Sequence, residues 1–457
     1  MVSTNNDLYP IGEGLTDELY EQFLDVLKED TRHIQLHSLL TNLHPADIAV
    51  LIERLPVKKR NIILQHIPDD RLGDTISELH DETKESVLNN VPNEALAGVM
   101  ETLESDDRAD IVQSLNETRV TENPDDIITL SEAPLLVYPE DSAGGLMQLE
   151  VLALPGDWTV SEVLEFMRDH KEDLPVTLHR IFVVGYKMKH IGSISLSRLV
   201  RQPLDTHLRD IIRKDYVTVT PNMHQEDVSR LFEKYDLITC AVVDENEALL
   251  GVITIDDVLD VIIEERDADM MRAAGLEEGQ DLFAPLITTS RKRFPWLFVN
   301  LITAVLASLV IAQFEGAIDQ IVALAVLMPI VASMGGNAGT QTMTVAVRGL
   351  AMKQLTMQNA KDLLWKELRV GGFNGIVLAV LVGLGTIIVY DNITLGIVIL
   401  VATIINHILA ALAGIIIPVA LEKFGKDPAV SSGVLLTTVT DVGGFFAFLG
   451  LAALFLI

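Results

Sequence analysis

Between residue 294 and the carboxyl terminus, five stretches lack Asp, Glu, Lys and Arg: 294–314, 320–347, 370–390, 392–421 and 428–457, the last interrupted by Asp441. About twenty apolar residues cover a hydrocarbon core of about 30 Å, so each stretch predicts a membrane-spanning helix. The connections alternate in charge. Arg291, Lys292 and Arg293 precede the first span, Arg348, Lys353, Lys361, Lys366 and Arg369 lie between the second and third, and Lys423 and Lys426 lie between the fourth and fifth. The other two connections carry Glu315, Asp319 and Asp391 and no Lys or Arg. All the basic residues of this half fall on one side. The positive-inside rule therefore predicts that residues 1–290 are cytoplasmic and that Ile457 lies outside.

Charge divides the chain sharply. From Arg291 onward there are 10 Lys+Arg and 8 Asp+Glu; totals of 34 and 65 leave 24 and 57 in residues 1–290, a balance of −33. Such an acidic half disfavours nucleic acid and anionic lipid as partners and repels itself when compact. Divalent cations would relieve that repulsion, although a merely solubilising surface explains the charge equally well. The polar first residues predict no signal peptide. The single cysteine, Cys240, sits in the apolar string LITCAVV and reads as a buried strand residue in a reducing compartment.

Asp441 is the most pointed single residue. A carboxylate near the middle of a membrane helix costs about 2.5–3.5 kcal/mol on insertion scales and is tolerated beside water or a cation. Gly433, Thr437, Thr440, Asp441 and Gly444 share one helical face, by their spacings of 4, 3, 1 and 3. Small residues alone would suit helix packing; the carboxylate points to a cation pathway, with Thr437 and Thr440 as candidate lining. The second span contains Pro329 and the run MGGNAGTQT from Met334 to Thr342, which predicts a broken or thinned helix beside a cavity. Asn337 and Gln341 are its candidate pore-lining side chains. The fourth span carries Asn406, His407 and Pro418. His407 reads as a histidine bonded to a neighbouring helix, with a ligand or proton group as the alternative.

In the acidic half, Leu43, Leu55, Ile67, Leu79, Val91, Leu103 and Leu115 recur every twelve residues, and Pro56, Pro68 and Pro92 each follow one of them. Paired units of this kind stack into a short superhelix. Within it, SDDRAD at 105–110 places Asp106 and Asp110 one turn apart; a solvated face with Ser105 as N-cap would account for them without a ligand. Residues 137–262 hold a degenerate duplication, each copy reading strand, helix, strand, turn, strand, helix. This resembles a tandem pair of CBS domains, α+β modules that often bind adenine nucleotides through a Gly-x-x-Thr-x-x-Asp string. The string is complete as Gly251, Thr254 and Asp257; the first copy has Gly192 and Ser195 but Arg198 at the acidic place. An ATP site and a purely structural module therefore both stay open. An acidic helical connector follows, and like charges one turn apart weaken such a helix unless counter-ions are present.

The order of a helical repeat at 16–130, tandem CBS domains at 137–262, a connecting (plug) helix at 263–290 and a five-helix transmembrane domain at 291–457 resembles the MgtE family of magnesium channels. The motifs that carry the resemblance are SAGGLM at 142–147, Pro329 with GGNAGTQ, and KDPA at 426–429 leading to TDVGG at 440–444. The resemblance implies a multidomain, non-enzymatic homodimer in a bacterial inner membrane, selective for Mg²⁺ and gated by it, with no nucleic-acid partner. It implies that Asp441 binds hydrated Mg²⁺ in the pore. It further implies regulatory Mg²⁺ sites at Asp74, Asp106 and Asp110 in the helical domain and at Glu226, Asp236, Asp257 and Asp260 in the second CBS copy. On the plug the implied ligands are Glu265 and Asp269, with Asp427 at the inner membrane face. Ala268 stands where the family pattern expects an acidic residue, which puts the closing site there in doubt. A secondary carrier coupling a divalent cation to Na⁺ or H⁺ through His407 and Asp441 is the alternative.

Overall fold

The computed structural model describes all residues except 1–13, 29–32, 93–95, 97–99, 101–102, 119–134, 172–173, 175–177, 214–216 and 277–281. The chain divides into two compact units, one of residues 1–266 with 279–284 and one of 267–278 with 285–457. Part of the expected helical domain (119–130) and of the expected plug segment (277–281) lies outside the described residues.

The first unit opens with α1 (Asp17–Val26) and α2 (His33–Leu40), then α3 (Pro45–Glu53), α4 (Val57–Leu64), α5 (Asp69–Ser77), α6 (Asp81–Leu88) and α7 (Ser105–Thr118). The repeat has a direct structural meaning. His44, Pro56, Pro68 and His80 are the N-caps of α3 to α6, so each helix restarts twelve residues after the last. The apolar anchor just before each cap packs inward, and all seven anchors lie in one core with Phe23, Ile48, Leu51 and Ile76. Arg60 is fully buried beneath them and donates from Nε to the carbonyls of Ile52 (3.1 Å) and Leu55 (2.8 Å).

The duplication gives two matched three-stranded sheets. The first contains β1 (Ala153–Pro155), α8 (Val160–Asp169), β2 (Arg180–Val184), β3 (His190–Ser195), α9 (Leu196–Leu199) and α10 (Leu208–Ile211). The second contains β4 (Thr218–Val219), α11 (Gln225–Tyr235), β5 (Thr239–Val243), β6 (Leu249–Thr254) and α12 (Ile255–Ala273). In each, the first strand runs parallel to the middle one and the last antiparallel. Each middle strand also carries a bulge at the equivalent place, Val183/Val184 and Val242/Val243. Phe182 and Val184 pack against Ala241, Val243 and Val252, joining the two copies. Cys240 is buried as expected, and its burial pushes the thiol pKa up to about 12. SAGGLM is a joint: Ala143 and Gly144 donate to the carbonyls of Met223 (2.7 Å) and Pro221 (2.8 Å), and Gln148 pairs with Val252 of β6. A single helix, α12, runs through residues 262 and 263, so the expected plug helix continues the last CBS helix.

The second unit has five helices long and apolar enough to cross a membrane: α13 (Leu286–Ala312), α15 (Ala323–Ala351), α16 (Ala360–Tyr390), α17 (Ile393–Lys423) and α18 (Pro428–Phe455). A short α14 (Glu315–Gln320) joins the first two. Two helices, α13 and α16, begin before the charge-free stretches and take in the flanking Arg291–Arg293 and Lys361–Arg369. The central helix is α17, packed against α15, α16 and α18.

The expected break in the second span is absent: α15 is continuous from Ala323 to Ala351 with Pro329 inside it. Its glycines serve close approach instead. A methyl on Gly335 would overlap the Asn406 amide, and one on Gly339 would lie 2.8 Å from Leu436 of α18. Interhelical packing offsets the local helix penalty of glycine.

Candidate cation sites

In the first unit, α7 and the start of α12 bring carboxylates from distant sequence into one cavity of about 900 Å³. Asp106 and Asp110 line it from α7, and Asp257, Asp260 and Glu264 line it from α12. Glu78 and Asp107 also face it, as do His80 and Lys84. Asp106 is only 8% exposed, and its Oδ1 is buried without a hydrogen-bond partner. A solvated face does not describe it. Ser105 is not a simple cap either: its hydroxyl donates to Glu150 Oε2 (2.6 Å) and accepts from the Leu149 amide (2.8 Å).

The electrostatics follow from this crowding. Burial, then the neighbouring charges of Asp257 and Asp107, push the Asp106 pKa up to about 9. Burial pushes Asp257 up to about 7, against the hydrogen bond it accepts from Thr254 Oγ1 at 2.5 Å. Burial also raises Glu78, Asp107 and Asp260, each with acidic neighbours adding to it. Asp74, on α5, is raised by burial and partly offset by His44. Anionic carboxylates are costly here without positive charge between them, so the donor set fits a cation. Among the described residues no three His, Cys, Asp or Glu side chains converge as a direct metal-ligand cluster.

Other expected ligands lie elsewhere. Glu226 pairs with Arg230 (2.7 Å), and Glu265 accepts from Gln225 Nε2 (3.0 Å). Asp236 ends α11 in the left-handed region at φ 50° and lines a separate cleft of about 210 Å³ with Arg180, Ser193, Arg213, Tyr235 and Thr239. Gly251 does not face that cleft: a methyl there would sit 2.6 Å from the Gln148 carbonyl.

In the second unit, Arg272 of α12 reaches Asp269 (3.2 Å) and Asp427 (3.7 Å). Asp427 is the N-cap of α18, accepting from the Ala429 amide at 2.7 Å. Asp441 is half-buried on α18, and among the described residues no hydrogen bond or ion pair to it is found. Its helical face is split. Thr440 is fully buried, whereas Thr437 is exposed; both donate hydroxyls to carbonyls of their own helix. Asn337 and Gln341 lie on the exposed face of α15. His407 is buried, with Nδ1 2.9 Å from the Thr403 carbonyl, so its partner is its own helix and not a neighbouring one.

Sequence reading missed Glu367, a buried carboxylate on α16 that accepts from Thr342 Oγ1 of α15 at 3.4 Å. Its signal was the small-residue spacing of Glu367, Gly371 and Gly375 on one face.

Family models match three parts of the chain: a divalent cation transporter model over residues 328–451, an MgtE intracellular N domain over 43–124, and CBS domains over 143–205 and 208–264. The magnesium transporter MgtE of Bacillus subtilis is 30% identical over 449 residues, covering 96% of this chain and 98% of that one. The chain belongs to the MgtE family. The magnesium transporter MgtE of Thermus thermophilus is likewise 30% identical, over 97% of this chain and 99% of its own. Among solved structures, the cytosolic domain of the Mg²⁺ channel MgtE in complex with ATP is 33% identical, with a TM-score of 0.47 over 53% of this chain and all of that one. The MgtE family is one of divalent-cation transporters and not of enzymes, and the helical repeat, tandem CBS modules and apolar helices match its architecture.

Proposed function

We propose that this MgtE-family chain is a Mg²⁺-selective channel for magnesium uptake, closed from the cytoplasmic side when Mg²⁺ rises. The observation that carries the reading is Asp441, a half-buried carboxylate on an apolar helix with no partner found among the described residues. Mg²⁺ dehydrates reluctantly and usually keeps several waters, so a single carboxylate with hydroxyl neighbours suits a hydrated ion. A homodimer would set two such faces opposite one another. The charge alternation of the connections supports cytoplasmic acidic domains and an external carboxyl terminus. Coupled transport through His407 is less well supported, since its Nδ1 is engaged by Thr403.

The acidic cavity is the sensor in this reading. Asp106, Asp110, Asp257 and Asp260 would hold regulatory Mg²⁺ there, adding positive charge to that of Lys84 in a cavity where carboxylates outnumber cations. Asp74, Glu226, Asp236, Glu265, Asp269 and Asp427 are then secondary positions, several of them already paired within the chain. Adenine nucleotide fits the Arg180–Arg213 cleft better than the Gly251–Thr254–Asp257 string, because two guanidinium groups and Tyr235 line that cleft.

The test of the sensor is flux through the full chain in liposomes at high internal Mg²⁺. Replacing Asp106 and Asp257 with Asn should leave it conducting where the wild type closes. Wild-type closure in that variant would reject the assignment.

A further inference from the structure

Asn406 lies at the junction of three membrane helices and is fully buried. From α17 its Nδ2 donates to the Val331 carbonyl of α15 at 2.8 Å. A carbonyl only accepts, so this bond fixes which end of the amide is nitrogen. The other end, Oδ1, is buried with no hydrogen-bond partner. Two glycines on two other helices make room for this one amide. A methyl on Gly335 of α15 would overlap it, and a methyl on Gly444 of α18 would lie 2.6 Å from Nδ2 and 3.2 Å from Oδ1.

Gly444 is three residues from Asp441, a rise of about 4.5 Å along α18. An apolar side chain of similar size would pack in the junction without leaving an unmatched acceptor. The interhelical bond to Val331 accounts for Nδ2 but not for Oδ1, and a buried unmatched carbonyl calls for an explanation in function or in an ordered water.

We propose that Asn406 is a positioning residue for ion passage: its amide, wedged between Gly335 and Gly444, sets the register of α18 and so the depth of Asp441, and its Oδ1 accepts a hydrogen bond from a water of the ion path. This rests on the reading of Asp441 as the pore carboxylate. One glycine of each membrane motif, Gly335 and Gly444, leaves space for the same side chain.

The test uses the full-length chain in liposomes, measuring Mg²⁺ and Na⁺ flux, together with thermal unfolding of the same preparations. Asn406→Leu should unfold at or above the wild-type temperature yet lose about tenfold or more of its preference for Mg²⁺ over Na⁺, because the depth of Asp441 in the ion path is changed. Combining Asn406→Ala with Gly444→Ala relieves the clash of Gly444→Ala alone; it should recover stability but not selectivity. A purely packing role predicts the opposite: selectivity recovers with stability in the double variant, or Asn406→Leu folds with wild-type selectivity. Either outcome overturns the proposal, as does failure of every Asn406 variant to fold. In an Asp441→Ala background, Asn406→Leu should change selectivity no further. If Asp441→Ala itself keeps wild-type selectivity, the pore reading has failed, and Asn406 is then judged by its own variants.

Discussion

The guanidinium of Arg272, near the end of α12, lies 3.7 Å from the carboxylate of Asp427, which caps the first turn of α18. Arg272 also pairs with Asp269, so a tethered cation stands between two carboxylates expected to share Mg²⁺. Ala268, where an acidic residue was expected, is buried beside them in sequence. Arg272→Gln should weaken closure at low Mg²⁺ and raise the Mg²⁺ concentration for half-closure. A partly exposed pair is worth about 0.2–1 kcal/mol, so the shift should be about 1.4- to fivefold. Flux measured against internal Mg²⁺ checks it; an unchanged midpoint would leave the pair without a role in closure.

The raised carboxylates give a pH dependence of known sign. Burial, then the charges of neighbouring carboxylates, pushes Asp106 and Asp257 up to about 9 and about 7 against a usual 3.8. The folded state therefore binds more protons than the unfolded chain between these values. The contribution of these two carboxyls to the stability of the metal-free protein should be full below about pH 4 and be lost as pH rises through about 7 and about 9. Thermal unfolding in chelator across that range tests this. Asp106→Asn should flatten the upper part of the curve, and so should added Mg²⁺.

Orientation is tested by labelling. Cys240 is buried, so a single introduced cysteine can be read in intact cells after Cys240 is replaced. Asp391→Cys, at the exposed carboxyl end of α16, should react with a membrane-impermeant thiol reagent, and Lys361→Cys should not. The reverse pattern would invert the topology.

Periodicity made much of this fold legible. A twelve-residue spacing of apolar anchors is a property of the chain itself, and it reappears as N-caps at His44, Pro56, Pro68 and His80. The CBS duplication was visible for the same reason, down to equivalent bulges in β2 and β5. Contacts between distant segments were not legible. Glycine in α15 reads locally as a helix breaker, but its role depends on Asn406 seventy-one residues after Gly335. Glu78 and Asp107 look like ordinary surface acids until the fold brings them to the same cavity as Asp257 and Asp260. Charge also misled at helix ends: Lys361, Lys366 and Arg369 were read as a loop, yet they occupy the first turns of α16 and leave Glu367 buried on its other face.

The central claim is that Asp441 is the carboxylate of the ion path. Mg²⁺ flux through the full-length Asp441→Ala chain in liposomes, with Na⁺ flux as reference and thermal unfolding as a check on folding, tests it most directly. The expected result is a folded protein whose Mg²⁺ flux relative to Na⁺ falls at least about tenfold, because a charged ring or point in the pore sets cation preference. A folded Asp441→Ala protein with wild-type Mg²⁺ flux and selectivity would contradict it.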